Sequence, residues 1–370
     1  MNAVTIHEEG QYEPAGDAGS PGRSSLVALA MIAALFGGLL AAPHSPGLTN
    51  RAASALADPA MFGDSGPPPF EAMGRTTETS VAALVPGGIV VIDLDTARSR
   101  RIDIAEWTQV EAPRAGRALL WHSNTLYASA GQRAWAVDLP DKVARDLGPG
   151  AGLGSSTTPG RIWVLEPPTE QTRQWREVAA SGESRGHMQW PVGAGPSTDT
   201  SGTPETVAIE GDGFATLNGD STWSLVAAGE PISANESAAL VRRCSSAPCA
   251  YVWVDLETGD QLARDLPPGI QQAGDRIYRL SPSGAHVLEA RIDAGGFAAV
   301  HVYGDGTVRN TACGAGWERP AWSVDEELLA CADGTSVTVT DLVAGTVAVF
   351  ELDETPAGVA VVPSEAFDEP

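Results

Sequence analysis

From about Ser80 onward the chain consists of short apolar stretches, many of them alternating, punctuated by Gly, Pro, Asp and Asn. Val81 to Val85, Ile89 to Leu94 and Arg101 to Ile104 carry strand periodicity, with Pro86-Gly87-Gly88 and Asp95-Thr96-Ala97 as the turns between them. No capped stretch of helical period follows residue 80. Many short strands joined by regular turns predict an all-β fold.

One phrase recurs within this texture. It reads Ile92-Asp93-Leu94, Val137-Asp138-Leu139, Val254-Asp255-Leu256 and Thr340-Asp341-Leu342, and three of the copies run on into Thr or Gly turn residues. The first two aspartates are 45 residues apart and the last two 86, or twice 43. The interval of 117 between them holds degenerate units: Arg161–Leu165 with Gln174–Val178, then Val207–Ile209, Phe214–Leu217 and Trp223–Val226. Ala299–Tyr303 marks one more unit before the last copy. A period of roughly 41 residues is the size of a four-stranded propeller blade. The fold predicted is a seven-bladed β-propeller, with six or eight blades as alternatives.

Two blades can be read strand by strand. The last is Arg319–Ser323, Glu327–Cys331, Ser336–Asp341 and Thr346–Leu352; the one before is Arg276–Leu280, His286–Ile292, Ala298–Tyr303 and Thr307–Cys313. The first blade lacks a strand ahead of Val81, and a lone alternating stretch, Gly358–Val362, follows the last blade. This C-terminal stretch is expected to be the innermost strand of the first blade, closing the ring and removing a free strand edge. The phrases Leu280-Ser281-Pro282-Ser283-Gly284-Ala285-His286-Val287-Leu288 and Trp322-Ser323-Val324-Asp325-Glu326-Glu327-Leu328-Leu329-Ala330 resemble the S-P-D-G-x-x-L-A signature of WD40-like and TolB-type propellers. The second phrase departs from it, with Val324 for Pro and Glu326 for Gly. The resemblance implies the broad propeller superfamily and no particular function.

Ahead of the repeats, Leu26 to Ala42 is uncharged and apolar, and with Ser24, Ser25 and Pro43 it reaches the length of a bilayer span. The preceding segment is acidic (Glu8, Glu9, Glu13 and Asp17 against Arg23), unlike the basic start of a signal peptide, and Ala55-Leu56-Ala57 lies far beyond the span for a cleavage site. A retained anchor is therefore expected. The organisation predicted is a cytoplasmic tail over 1–23, a transmembrane helix over 24–43, a Pro-containing linker over 44–79, a propeller over 80–364 and an acidic tail over 365–370. Cleavage and secretion is the alternative.

Composition then narrows the partners. The 370 residues carry a net charge of −24, from 47 acidic and 23 basic residues, with Lys142 the only lysine. No basic patch offsets this, so nucleic-acid binding is not expected. The four cysteines, Cys244, Cys249, Cys313 and Cys331, are an even set far downstream of the apolar run, which suggests disulfides in an oxidising compartment. Of three possible pairings, Cys244 with Cys249 would close a short hairpin and leave Cys313 with Cys331. Four reduced thiols in a cytosolic domain are the alternative. The disulfide reading places the propeller outside the cell membrane and the N-terminus in the cytoplasm.

Catalytic signals are sparse. The six histidines form no H-x-H or H-E-x-x-H pattern, the cysteine spacings match no zinc motif, and no G-x-S-x-G elbow is present. Gly148 to Gly154 is glycine-rich but lacks the Lys and Ser/Thr of a phosphate loop, and it reads as an inter-blade loop. Asp212, Asn218 and Asp220 read as turn residues rather than a calcium loop. No catalytic, metal or cofactor residue is assigned and no cofactor is expected. Trp107, Trp190 and Trp317 sit near loops and are the candidate binding aromatics. The stretches Gly148–Gly160 and Ser181–Pro204 are the candidate functional loops. The function expected is a membrane-tethered module that binds or scaffolds a protein or envelope component. A propeller hydrolase or lyase with its site in the central tunnel is the competing class.

Overall fold

The structure is a computed structural model, and it describes residues 78–367 apart from 112, 114–115, 168–173, 192, 197–202, 245–248, 264–275, 293–297, 305–306 and 315–319. The expected cytoplasmic tail, the 24–43 span and nearly all of the linker lie outside the described residues. Among the described residues no helix is long and apolar enough to cross a membrane.

The described residues form 28 strands, β1 to β28 in chain order, arranged as seven four-stranded antiparallel sheets. This is a seven-bladed β-propeller. Six sheets use four consecutive strands. The first instead pairs β28 (Gly358–Pro363), β1 (Thr79–Val85), β2 (Gly88–Asp93) and β3 (Ser99–Asp103) in that order, so β28 is the innermost strand beside β1, as the sequence predicted. The register pairs Ser80 with Val362, Ala82 with Ala360 and Leu84 with Gly358. Val359, Val361 and Val362 are each buried. A buried side chain of this size is worth about 1.5–3 kcal/mol, so the terminal strand holds the ring shut through packing as well as through its hydrogen bonds.

The strands explain their own sequences. Along β1, Val81 and Ala83 pack toward blade 7 with Leu328, Val337 and Val339, whereas Ala82 and Leu84 pack toward blade 2 with Leu119, Leu126 and Ala128. Both faces are buried, so the strand reads as a continuous apolar run. The outer strand β3 (Ser99–Asp103) buries only Ile102. Blade 6, with β20 (Arg276–Leu280), β21 (Val287–Ile292), β22 (Ala298–Gly304) and β23 (Thr307–Thr311), and blade 7, with β24 (Ala321–Trp322), β25 (Leu328–Asp333), β26 (Ser336–Asp341) and β27 (Thr346–Glu351), follow the expected strands closely.

Both stretches expected to be long functional loops contain strands. β7 (Val143–Pro149) runs into the glycine-rich segment, and β8 (Gly152–Ser155) is the innermost strand of blade 3. β11 (Ser184–Gln189) and β12 (Ala194–Pro196) occupy much of the second stretch. Glycine in this region serves close packing: a Cβ on Gly150 would lie 2.6 Å from Val164 Cγ1.

Candidate functional site: the tunnel and its mouth

The repeated aspartates cap the turns between third and fourth strands. Asp93 Oδ1 accepts from the amides of Asp95 and Thr96, at 2.9 and 3.0 Å. Asp255 Oδ1 accepts from Glu257 and Thr258, and Asp341 Oδ1 from Val343 and Ala344. The following leucine ties this turn to the turn between first and second strands: Leu256 N donates to Ser237 O and Leu342 N to Glu327 O, each at 2.8 Å. Because the strands alternate in direction, both turn types lie on one face of the ring, and the recurring phrase is scaffolding for that face.

The first-to-second-strand turns surround the central tunnel, and they are bonded to one another. Asn235, in the blade 5 turn, is fully buried and donates from Nδ2 to Ser281 O and Pro282 O of blade 6, at 2.8 and 3.0 Å. Blade 6 has glycine at Gly284 (φ +76°), where a Cβ would come within 2.8 Å of Trp253. Blade 7 has Glu326 at the corresponding position, also left-handed (φ +56°). Its carboxylate accepts from Ser283 N and Ser283 Oγ of blade 6. The departure from the propeller signature is thus an inter-blade clamp, whose hydrogen bonds offset the cost of a non-glycine residue in that conformation. On the other side of the mouth, Glu205 Oε1 accepts from Trp163 Nε1 (2.5 Å), Ser156 Oγ and Thr157 N. Ser155 Oγ donates to Glu236 Oε1 at 2.7 Å, joining blade 3 to the blade 5 turn past the intervening blade 4.

Behind this mouth lies a cavity of about 310 Å³. Its walls include Leu119 of β4 (Leu119–His122), Ala321, and Val359 to Val361 of β28. Five polar side chains border it: Arg117, His122, Ser155, Glu236 and Ser323. Arg117, just before β4, lies toward the far end and donates from Nη2 to Pro320 O at 2.9 Å. Trp322 adds an aromatic wall and stacks on His286, with ring centroids 5.8 Å apart and planes 9° from parallel.

The environment moves two of these groups in opposite directions. Glu236 presents surface to the tunnel but has protein around it, and burial raises its carboxyl above the usual range, with the Ser155 hydrogen bond opposing and the Glu205 charge reinforcing the shift. Burial lowers the His122 imidazole, only partly countered by the Glu205 charge. Its Nε2 is buried with no hydrogen-bond partner among the described residues. A carboxyl biased toward its protonated form and an imidazole biased toward its neutral form therefore border one cavity. An apolar wall with a few convergent polar groups suits a small ligand or an inserted side chain. Among the described residues no group of three or more His, Cys, Asp or Glu side chains gathers in a metal-binding arrangement.

The structure relocates the tryptophan candidates. Trp107 is fully buried, 6.0 Å from Trp135 between ring centroids, because its backbone folds back onto Gly87 and Ile104 and draws the ring between blades 1 and 2. Trp190 is buried against Trp175 at 5.7 Å and donates from Nε1 to Pro204 O. Both are core, not mouth, residues, which corrects the expectation of binding aromatics there. Trp317 lies outside the described residues. The cysteines form two disulfides, Cys244–Cys249 and Cys313–Cys331. Strand direction puts both toward the face opposite the mouth. No local motif joins His122, Ser155, Glu205 and Glu236, so the sequence pattern does not single them out. The available signal was positional: His122 and Ser155 end innermost strands, and Glu236 sits in the turn just after one.

No protein-family profile matches the chain, and no curated protein matches it. Solved structures similar to it match at low identity. TolB from Acinetobacter baumannii is 8% identical over 77% of this chain and 66% of its own, with a TM-score of 0.42. The β-propeller domain of the Trilobed protease from Pyrococcus furiosus is 10% identical over 76% of this chain and 95% of its own, at 0.43. A puromycin-hydrolyzing peptidase from Mycobacterium tuberculosis is 16% identical over 76% of this chain and 53% of its own, at 0.46. The chain thus spans just under two thirds of TolB and about half of the peptidase. The class defined by the strand order and the tunnel is a seven-bladed propeller with a preformed axial cavity.

Proposed function

We propose that this protein is an envelope binding module. The 24–43 run tethers it to the cell membrane as a single span, with 1–23 in the cytoplasm and the propeller outside. The tunnel mouth engages a protein or an envelope component. The observation that carries this reading is the cavity itself: an apolar wall, few polar groups, and rim turns already cross-bonded between blades by Asn235, Glu205 and Glu326. Such a rim is ordered before a ligand arrives, which lowers the cost of binding. Two disulfides fit an oxidising compartment.

The test is cross-linking and capture from the native envelope, with Ser155→Trp as a variant that fills the cavity. A specific partner lost on S155W supports the module; a partner retained by S155W places its contact elsewhere. The second reading, an enzyme acting in the tunnel, draws on the opposed shifts of Glu236 and His122, a pattern used for paired acid and base groups. Turnover of an envelope polymer by purified protein, abolished by both Glu236→Gln and His122→Gln, with no partner captured, would replace the binding reading with this one.

A further inference from the structure

The lip of the tunnel is apolar on one side. Val324, in the first-to-second-strand turn of blade 7, lines the cavity and is 85% exposed. Val343, in the third-to-fourth-strand turn of the same blade, is 60% exposed, and Leu342 N, donating to Glu327 O, ties the two turns together. Pro282 occupies the place matching Val324 in blade 6 and also lines the cavity. Open aliphatic surface beside a preformed cavity marks a docking site.

The charge of the lip is one-sided. Glu205, Glu236 and Asp325 come from the turns of blades 4, 5 and 7, and each is at least partly exposed. Each is held only by uncharged donors: Glu205 by Trp163, Ser156 and Thr157, Glu236 by Ser155, and Asp325 by Ser323 Oγ and Glu327 N. Ser155 and Ser156 are consecutive, so they bring the Glu236 and Glu205 carboxylates to one corner of the lip, where Glu177 also accepts from Ser156 Oγ at 2.9 Å. The cations near this corner and the cavity are engaged. Arg161, the first residue of β9 (Arg161–Leu165), lies 3.9 Å from Glu177 and 3.6 Å from Glu183. Arg117 donates to Pro320 O at the far end of the cavity, and Arg279 of β20 has partners of its own. His286 lies 3.9 Å from Glu326, and burial holds His122 toward its neutral form. The opposite face differs. There Arg101 pairs with Asp103 and Glu354, Arg133 with Asp146, and Arg242 with Glu230.

We propose that the tunnel takes a basic segment of a partner protein, which sets one apolar side chain into the cavity against Val324 and Trp322 and places flanking Arg or Lys side chains against Glu205, Glu236 and Asp325. This rests on the reading of the mouth as a binding surface and adds the chemistry of the partner. The cavity decides which part of the segment enters. Its walls are largely apolar and its far end carries Arg117, so the inserted group is uncharged and the cations stay at the lip. At about 310 Å³ the cavity is near the lower end of the range for ligand pockets, about 300–1,000 Å³, which suits a side chain better than a polymer chain. Arginine matches the corner made by Glu205 and Glu236, because its planar fork can meet two carboxylates at once. Other occupants carry the wrong sign: a second copy brings another net charge of −24, and anionic lipid and nucleic acid are repelled in the same way.

The test pans displayed random peptides against the immobilised full chain and discards those that the cavity-filled Ser155→Trp chain also retains. Val324→Ser, at an exposed position, replaces it in this step if Ser155→Trp lacks the thermal transition of the propeller. The expected survivors carry Arg or Lys next to a large apolar residue. Fluorescence anisotropy with the strongest survivor should show affinity about tenfold weaker in the Glu205→Gln, Glu236→Gln double variant, which keeps the acceptors for Trp163 and Ser155. Affinity should be unchanged in Asp212→Asn, an exposed residue of the opposite face. Survivors without a basic bias, no survivors, or an affinity indifferent to the double variant would overturn the proposal. The wider binding reading would still stand if the native envelope yields a partner that is lost on Ser155→Trp. That reading fails separately, when no partner is captured and the purified protein turns over an envelope polymer.

Discussion

At the scale of single residues, this fold uses one position for two purposes. At the left-handed position in the first-to-second-strand turn, Gly284 meets both the conformation and the close approach of Trp253. Glu326 adopts the same conformation and accepts two hydrogen bonds from Ser283 of the preceding blade. Glu326→Ala should therefore lower stability by about 2–3 kcal/mol, since it loses charge-assisted bonds and keeps the strain. Glu326→Gly should cost about 1 kcal/mol less, because only the bonds go. Urea unfolding of the three proteins measures this, and equal losses would show that the conformation carries no strain.

The cavity groups give a pH signature. Glu236 binds its proton more tightly folded than unfolded, so its contribution to stability is complete below the unfolded carboxylate value, about 4.3, and is lost as pH rises through the raised folded value. His122 has the opposite sign: its contribution is present above the ordinary histidine value, about 6.5, and is lost as pH falls through the lowered folded value. Glu236→Gln keeps an acceptor for Ser155 and cannot ionise. The difference in Tm between this variant and the unsubstituted protein should grow in the variant's favour from pH 4 to pH 8. His122→Gln should instead flatten the loss below pH 6.5. Thermal unfolding across that range reads both, and a Tm difference for Glu236→Gln that is independent of pH would contradict the assignment.

At the scale of elements, the two disulfides do different work. Cys244–Cys249 closes a hairpin within blade 5, with a sequence separation of 5, and Cys244 is exposed. Cys313–Cys331 has a separation of 18, is buried on both sides, and staples the end of blade 6 to the second strand of blade 7. Loop closure alone makes the longer link worth about 3 kcal/mol and the shorter about 2. Burial adds a kinetic difference. Under mild reductant in the native state, Cys244 and Cys249 should become alkylatable well before Cys313 and Cys331, as read by mass mapping. Simultaneous reduction would mean that burial gives the Cys313–Cys331 link no protection. The alternation that revealed these strands was clearest in blades 6 and 7. It was faintest at the short innermost strands, such as β8 and β12, where a few residues hold no full period and glycine replaces the apolar side chains. That is why the innermost strands of blades 3 and 4 read as loops.

At the scale of the whole molecule, β1 is a second strand, so the chain enters the propeller on the same face as the tunnel mouth and the repeated aspartate turns. The two disulfides lie toward the opposite face. The prediction at this scale is that the full chain sediments with membranes and resists alkaline carbonate extraction, and that deletion of 24–43 releases a folded, soluble propeller. A mature chain beginning near Asp58 and recovered in the soluble fraction would establish secretion instead.

What the amino-acid order determined by itself was periodic: the β class, the recurrence of about 41 residues and the closing C-terminal strand, with the choice of seven blades over six or eight and of one cysteine pairing among three left to the structure. These follow from local turn chemistry and from apolar patterns repeated along the chain, both of which survive linear inspection. What only the tertiary structure decided was convergence. Trp107 looked like a loop aromatic and is core, because a short backbone excursion returns it between two blades. His122, Ser155, Glu205 and Glu236 come from four blades and share no motif, and they meet only because a closed ring points the end of each innermost strand at one axis. A propeller writes its scaffold in sequence neighbours and its site in residues a blade or more apart, and burial around that axis, which no linear pattern records, is what shifts Glu236 and His122.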